Sequence, residues 1–406
     1  MANAKLRDQV PDYVKDEQIF DFDHFDDSRF QTDLQKGYAT LHRDAPDIFY
    51  TPRNGGHWVV TRYDLMEKVL RDTTHFSNRE LDIPKSNSPY VMIPLNLDPP
   101  DHLPFRMALM RHFDQKTIRA MEPKIRHWAN RLIDDVIANG GCEFTEEIGA
   151  AFPTSVFMEL MGLPLDRFDE FREIVLEYFG ITTRERRIEL QENMMSIMWA
   201  EFEKRKTEPE DDLMSKLVNE KVRDRSLTDD ELRSMGFLLF IAGLDTVANT
   251  LGFTFYQLAN HPELQERLIA DPECSPEFVE EMLRRCSIVQ QTRIVKKDVE
   301  IAGAHFCEGD MVSCPLMLGG MDDRKNPNPE VIDVDRKDRK HIAFSTGPHI
   351  CIGNFLARME MRVLLEEWSR RIRHFRIKPG TQPEWRAGGV AALADLYLEW
   401  DTTEAA

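Results

Sequence analysis

Positive charge is scarce in this chain. There are 52 Lys and Arg against 71 Asp and Glu, a net charge of −19 over 406 residues. Such a balance argues against nucleic acid as a partner, though a local basic face remains possible. Paired cysteines are missing as well. The six cysteines (142, 274, 286, 307, 314 and 351) show no CxxC spacing, which argues against a disulfide framework and fits a reducing compartment. Long apolar runs are absent: no window approaches the roughly 20 residues of a membrane span. The polar segment Met1–Asp27 has no apolar stretch of signal-peptide length. These absences lead to the expectation of a soluble, cytoplasmic monomer with no membrane partner. Linkers, repeats and low-complexity tracts are lacking too, so residues 1–406 are expected to form a single domain.

What is present is mostly helical in period. Met121–Ala138, Ser155–Met161 and Leu190–Lys206 repeat apolar residues every three or four positions. Strand-like runs are short: His57–Thr61, Thr292–Val295, Met311–Cys314 and Leu396–Trp400. The fold class is therefore mainly α with small, segregated β-sheets. Between residues 78 and 101 the chain has five prolines and little periodicity, and reads as a long loop. Thr228-Asp229-Asp230-Glu231 is a capping box that opens a central helix running to Asn260, before Pro262. The helix is apolar nearly all round in its middle and should be buried. Asp245 and Thr246 interrupt that middle. A buried carboxylate is costly unless paired or functional. Gly243 marks the easiest place for a helix break, and the Thr246 hydroxyl is placed to bond the Ala242 carbonyl.

Cys351 lies in Phe344-Ser345-Thr346-Gly347-Pro348-His349-Ile350-Cys351-Ile352-Gly353, followed by the amphipathic stretch 354–371. A thiolate just before a helix suits an axial ligand of haem iron, and the helix dipole favours thiolate over thiol. Gly347 permits a tight turn, and Gly353 has no Cβ to keep a flat macrocycle away. A buried structural cysteine would not require Phe344, both glycines and Cys351 in this register.

The ten-residue segment resembles the haem-binding signature of the cytochrome P450 family. The resemblance extends from about Asp98 to the C-terminus. It implies that fold, with haem b (iron protoporphyrin IX) buried between the long central helix and the loop that carries the ligand Cys351. Ala242-Gly243-Leu244-Asp245-Thr246 matches the family's acid–alcohol pair, which implies a proton-delivery role for Asp245 and Thr246. Glu281 and Arg284 match its structural E-x-x-R element. Val331 stands where a further Arg would be expected. Phe344 and Gly353 belong to the haem-contacting signature, and His102, Arg106, Arg293 and His349 fall where the family holds the haem propionates. His102 and Arg106, four residues apart, share a helix face.

Two segments look much like the bacterial camphor 5-monooxygenases: Leu238–Leu258 and the run Tyr90–Pro100. In those enzymes a Tyr at the position of Tyr90 donates a hydrogen bond to the substrate ketone. Met92 and Leu95 replace an aromatic and a hydroxyl residue, so the pocket should be more aliphatic and pliable. Leu244, Val247, Val289, Gly389 and Val390 are expected to complete it. The resemblance implies a monooxygenase that hydroxylates a monoterpenoid such as camphor or cineole, or a norisoprenoid such as ionone. It takes O2, and its electrons come from a [2Fe–2S] ferredoxin and an FAD-dependent reductase. Arg106, Arg336, Lys337, Arg339, Lys340 and Arg358 are candidates for a basic docking face. Two rival readings are a peroxide-using haem-thiolate enzyme and a haem-based sensor. The acid–alcohol pair speaks against both.

Overall fold

A computed structural model describes residues 6–179 and 183–403. Residues 1–5 of the polar N-terminal segment lie outside it.

The helices that build the site, in chain order, are α1 (His102–Met110), α2 (Gln115–Ile137), α3 (Ala151–Met161), α4 (Phe168–Phe179), α5 (Arg184–Thr207), α6 (Asp229–Leu244), α7 (Thr246–Asn260), α8 (Ser275–Arg285) and α9 (Asn354–Arg371). The largest sheet uses β1 (Ile48–Thr51), β2 (His57–Val60), β3 (Phe76–Ser77), β4 (Gln290–Val295) and β7 (Met311–Pro315). A separate hairpin pairs β5 (Val299–Ile301) with β6 (Ala304–Phe306). Strand order in the sheet is β1-β2-β7-β4-β3; β7 runs parallel to β2 and antiparallel to β4.

The periodic segments are helices that begin four to six residues earlier than expected and end within one residue of the expected limits. Helix α2 begins at Gln115 because Asp114 caps it, its carboxylate accepting from Thr117 N at 2.7 Å. The central helix opens on the expected box: Glu231 N donates to Thr228 Oγ1 at 3.3 Å, and Thr228 N donates to Glu231 Oε2 at 2.8 Å. It breaks at Asp245 (φ −121°, ψ −33°), two residues after Gly243. Gly243 stands next to that break, as expected, and also meets a packing constraint. A Cβ there would lie 2.4 Å from the Phe157 ring of α3, so glycine permits close packing of the two helices.

Among the described residues one helix, Asp229–Asn260, is long and apolar enough to cross a membrane. The sequence reading found no such window. Most of that stretch is buried between other elements, with Phe237, Phe240, Leu244 and Leu251 inaccessible, as befits a core helix. The segment 78–101 is an irregular loop. Ser234 fastens it to α6, accepting from Ile93 N at 2.9 Å and donating to Val91 O.

Candidate active site

Cys351 sits between a tight turn and the first turn of α9. Ser345 and Gly347 both adopt positive φ (64° and 70°). A Cβ on Gly347 would also meet Arg71 backbone at 3.2 Å, so two constraints select glycine there. Cys351 N donates to Phe344 O at 2.8 Å, closing the loop, and Asn354 Nδ2 donates to Cys351 O at 2.7 Å. The Phe344 ring packs under the Arg358 guanidinium, 4.5 Å from its centroid. A Cβ added to Gly353 would meet only Cys351 Sγ, at 3.9 Å, so space is open beside the sulfur.

Cys351 is solvent-accessible yet hemmed in by protein, and burial pushes its thiol up. The Gly353 amide, Arg106 and Arg358 oppose this without reversing it. The helix start therefore does not by itself yield a thiolate. Coordination to a metal cation would.

His102 and Arg106 on α1, Arg293 on β4 and His349 in the turn before Cys351 come from three segments and converge. The His102 and His349 rings lie 4.3 Å apart. Burial is the largest cause of depression for His349, to about 3, with His102, Arg293 and Arg106 adding repulsion. Burial, then Arg106, depresses His102 to about 4. Burial lowers Arg293 to about 10, and no carboxylate bonds it among the described residues. His102 Nε2 and Arg293 Nη2 are buried without partners. Arg106 donates to Ile350 O, beside Cys351. Unpaired buried donors gathered this way fit anionic groups such as two carboxylates, and a soft sulfur donor fits iron. The residues present thus fit haem b.

Asp245 is 2% exposed. Burial raises its carboxyl, against the pull of Arg386 and Arg172 and a hydrogen bond from Asn249 Nδ2 at 2.8 Å. Arg172 Nη1 stands 3.8 Å from Asp245 Oδ1, too far for a hydrogen bond. Its other nitrogens reach Glu146 at 3.1 and 3.4 Å. A cleft lined by Thr145, Glu146, Arg172, Asn249 and Arg386 leads to this carboxyl. Thr246 Oγ1 donates to Ala242 O at 3.2 Å, the bond the sequence suggested. Ala242 is exposed although its helix is otherwise largely buried, so this turn faces open space.

Sequence reasoning missed Arg172, Glu146 and Arg386. Asn249, one turn after Asp245, was accessible from spacing alone.

The remaining pocket candidates separate. Val289 and Val390 are joined by a β-bridge and are half-buried, as is Val247. Gly389 beside them is exposed, with nothing within 4 Å of a built Cβ. Met92 and Leu95 are half-buried on the loop. Leu244, expected in the pocket lining, is instead fully enclosed in the core. The Tyr90 hydroxyl donates to Glu192 Oε1 on α5.

Beneath the site, Arg284 and Glu281 form a bidentate pair at 2.8 and 2.9 Å, both 0% exposed. The third arm is present despite Val331: Arg336 Nε reaches Glu281 Oε1 at 3.3 Å and Arg339 Nε reaches Oε2 at 3.6 Å. This thins the expected basic face. Arg336 and Arg339 point inward to Glu281, Arg358 bonds Glu280, and Lys340 pairs with Asp338.

A family model described as Cytochrome P450 matches residues 151–272 and 276–393. Probable cytochrome P450 127A1 of Sinorhizobium fredii is 37% identical over 374 residues, covering 91% of this chain and 90% of that protein. Nocardicin C N-oxygenase of Nocardia uniformis subsp. tsuyamanensis is 30% identical, covering 91% and 96%. The crystal structure of CYP101J2 superposes with a TM-score of 0.90 at 35% identity, covering 97% of this chain and 99% of that one. That of CYP101C1 also gives 0.90, at 30% identity, covering 97% and 100%.

Proposed function

The chain belongs to the cytochrome P450 family, and from that membership we propose that it is a ferredoxin-driven, cytoplasmic hydroxylase of a small terpenoid. The observation that carries the reading is the pairing of a buried, solvent-linked acid, Asp245, with the Thr246 hydroxyl at a helix break. A peroxide-fed enzyme or a sensor would not need that arrangement.

Haem b, when bound, supplies oxygen activation, so that C–H, O2, two electrons and two protons become C–OH and water. Cys351 would hold the iron and lend it electron density. His102, Arg106, Arg293 and His349 would hold the propionates, which would partner the unpaired His102 Nε2 and Arg293 Nη2. Asp245 accepts a proton from the outer cleft and passes it inward, its raised affinity suiting a group that must carry a proton. Arg172 orients the acid from outside by bridging toward Glu146. The Thr246 hydroxyl, anchored on Ala242 O, keeps a polar position in an otherwise dry helix.

Val247, Val289 and Val390 offer aliphatic walls, and Gly389 leaves room between strand and ligand. Such a lining favours a compact hydrocarbon skeleton with few polar groups. Tyr90 is the candidate polar anchor, provided it exchanges Glu192 for the ligand.

The ferredoxin would dock on an apolar surface. Leu103, Met107 and Met110 line one face of α1 and are 55%, 50% and 48% exposed. Ile350 and Phe355, around Cys351, are also exposed, and Arg106 ties α1 to Ile350. Exposed apolar patches of this kind mark interaction sites. Apolar docking would compensate for the engaged arginines.

The test is turnover of a terpenoid panel, preselected by Soret shift, with NADH, ferredoxin and reductase against hydrogen peroxide alone. Hydroxylation with the electron chain supports the reading. Activity confined to peroxide, or binding without turnover in either system, would sink it.

A further inference from the structure

The β5–β6 hairpin lies outside everything assigned above. Ile301 pairs with Ala304 around a two-residue turn, Ala302-Gly303, whose φ angles are 50° and 81°. Both being positive, this is a tight hairpin turn of the kind that fixes strand register. Lys15 Nζ and Gln18 Nε2 both donate to Gly303 O, at 3.0 and 3.3 Å, and tie the turn to the body of the protein.

Register decides what each face carries. Val299 pairs with Phe306 and Ile301 with Ala304; these face inward, with Ile301, Ala304 and Phe306 buried. Glu300 pairs with His305 on the opposite face, and both are exposed. The same alternation puts Asp298 and Cys307 on that outer face, two residues further along each strand from the turn. Ligand atoms of Asp298, His305 and Cys307 all lie within 4.8 Å of one another.

We propose that this outer face is a binding site for a zinc-class divalent ion, held by Asp298, His305 and Cys307. The donor set is one carboxylate oxygen, one imidazole nitrogen and one sulfur. That mixture suits a borderline cation such as Zn²⁺ or Co²⁺ and disfavours Ca²⁺ and Mg²⁺, which require oxygen ligands. Three donors drawn together by small side-chain rotations leave a fourth position for water or for Glu300, which shares the face.

Supporting contacts are in place. Glu308 N donates to Asp298 Oδ1 at 2.7 Å, leaving the other oxygen for the ion. Asp310 accepts from Cys307 N at 3.0 Å and from Trp58 Nε1 at 2.9 Å, fixing the strand end that bears the thiol. The Tyr13 ring sits edge-on to His305, 6.2 Å between centroids, and limits its rotation. Such outer contacts orient ligands and raise metal affinity. The ion would cross-link the two strands of the hairpin.

The experiment uses the haem-loaded enzyme dialysed against ZnCl2, with zinc and iron measured together. The expected result is one tightly held zinc per haem iron. His305→Ala and Cys307→Ser should each weaken binding about tenfold or more while haem content stays unchanged. Zinc, but not calcium, should protect Cys307 from iodoacetamide, located by peptide mass spectrometry to distinguish it from Cys351. Failure to retain zinc, affinity unaltered in either variant, or equal protection by calcium would overturn the proposal.

Discussion

The Tyr90 hydroxyl donates a 2.5 Å hydrogen bond to Oε1 of Glu192, joining the long loop to α5. Ser88 Oγ, two residues earlier, donates to Gln191 Oε1 at 3.2 Å, so neighbouring residues on each side form a clasp. The donor expected to meet a ketone is thus engaged by a carboxylate, whose hydrogen bond is stronger than a ketone's.

Two substitutions should therefore act in opposite directions. Tyr90→Phe should weaken binding of a ketone by less than the roughly 0.5–1.5 kcal/mol of an uncontested neutral hydrogen bond, because the hydroxyl must first leave Glu192. Glu192→Gln should tighten it, because the competing acceptor is weaker. A deoxygenated analogue should be indifferent to both. Soret titrations of the two ligands against three proteins decide the matter. Equal losses for both ligands in Tyr90→Phe would mean that Tyr90 acts through packing alone.

Proton delivery gives the second prediction. Asp245→Asn removes the buried carboxyl that the cleft reaches and should slow turnover about 10²-fold. Thr246→Ala should still bind substrate and consume NADH, but divert electrons to hydrogen peroxide. Arg172→Ala should lie between wild type and Asp245→Asn, since Arg172 orients the acid without carrying the proton. Unchanged coupling in Thr246→Ala together with an unchanged rate in Asp245→Asn would refute the relay.

What was legible in the sequence was local. Capping at Thr228, the helix periods and the Thr246–Ala242 bond all follow from residues within one turn of each other. The environment of Asp245 was not legible, because Arg172 and Arg386 arrive from elements 73 residues before it and 141 after it. No spacing rule connects them. Gly243 illustrates a subtler limit. Its position marked the break that follows at Asp245, but the Phe157 ring packed against it from α3 was not legible. The third arm on Glu281 was misjudged for a similar reason: the guanidinium arrives from Arg336, five residues beyond Val331.

That buried cluster yields a stability prediction. Arg284 also donates to Gly320 O and Pro329 O, each at 2.8 Å, and to Val331 O at 3.0 Å, so it ties α8 to the segment leading to the Cys351 loop. Glu281→Ala would leave Arg284 charged and fully buried without its carboxylate. Breaking one partner of a buried pair costs about 3–5 kcal/mol. The expected outcome is a lower midpoint in urea and loss of haem on gel filtration. A midpoint within error of wild type would mean that Glu281 and Arg284 do not form the buried pair described.

A pair of histidines outside the haem site should set the acid limit of the fold. His24 and His57 are buried, their rings 6.2 Å apart. Burial lowers His24 to about 4 and His57 to about 3, the latter helped by repulsion from His24. Both ring nitrogens of His57 lack a well-formed hydrogen bond, and the Arg53 backbone and Asp23 oppose the depression without reversing it. In the unfolded chain each ring takes up a proton near its ordinary value of about 6.5. Between that value and the folded ones, the unfolded state binds more protons, so stability falls as pH falls. The contribution is fully present above about pH 6.5. Below that it should fade at about 1.4 kcal/mol per pH unit for each ring. Urea midpoints measured from pH 7.5 down to 4.5 should show this slope. His57→Leu cannot take up a proton in either state, so its slope should be shallower whatever its stability at neutral pH. Equal slopes for the two proteins would show that His57 does not control the acid transition.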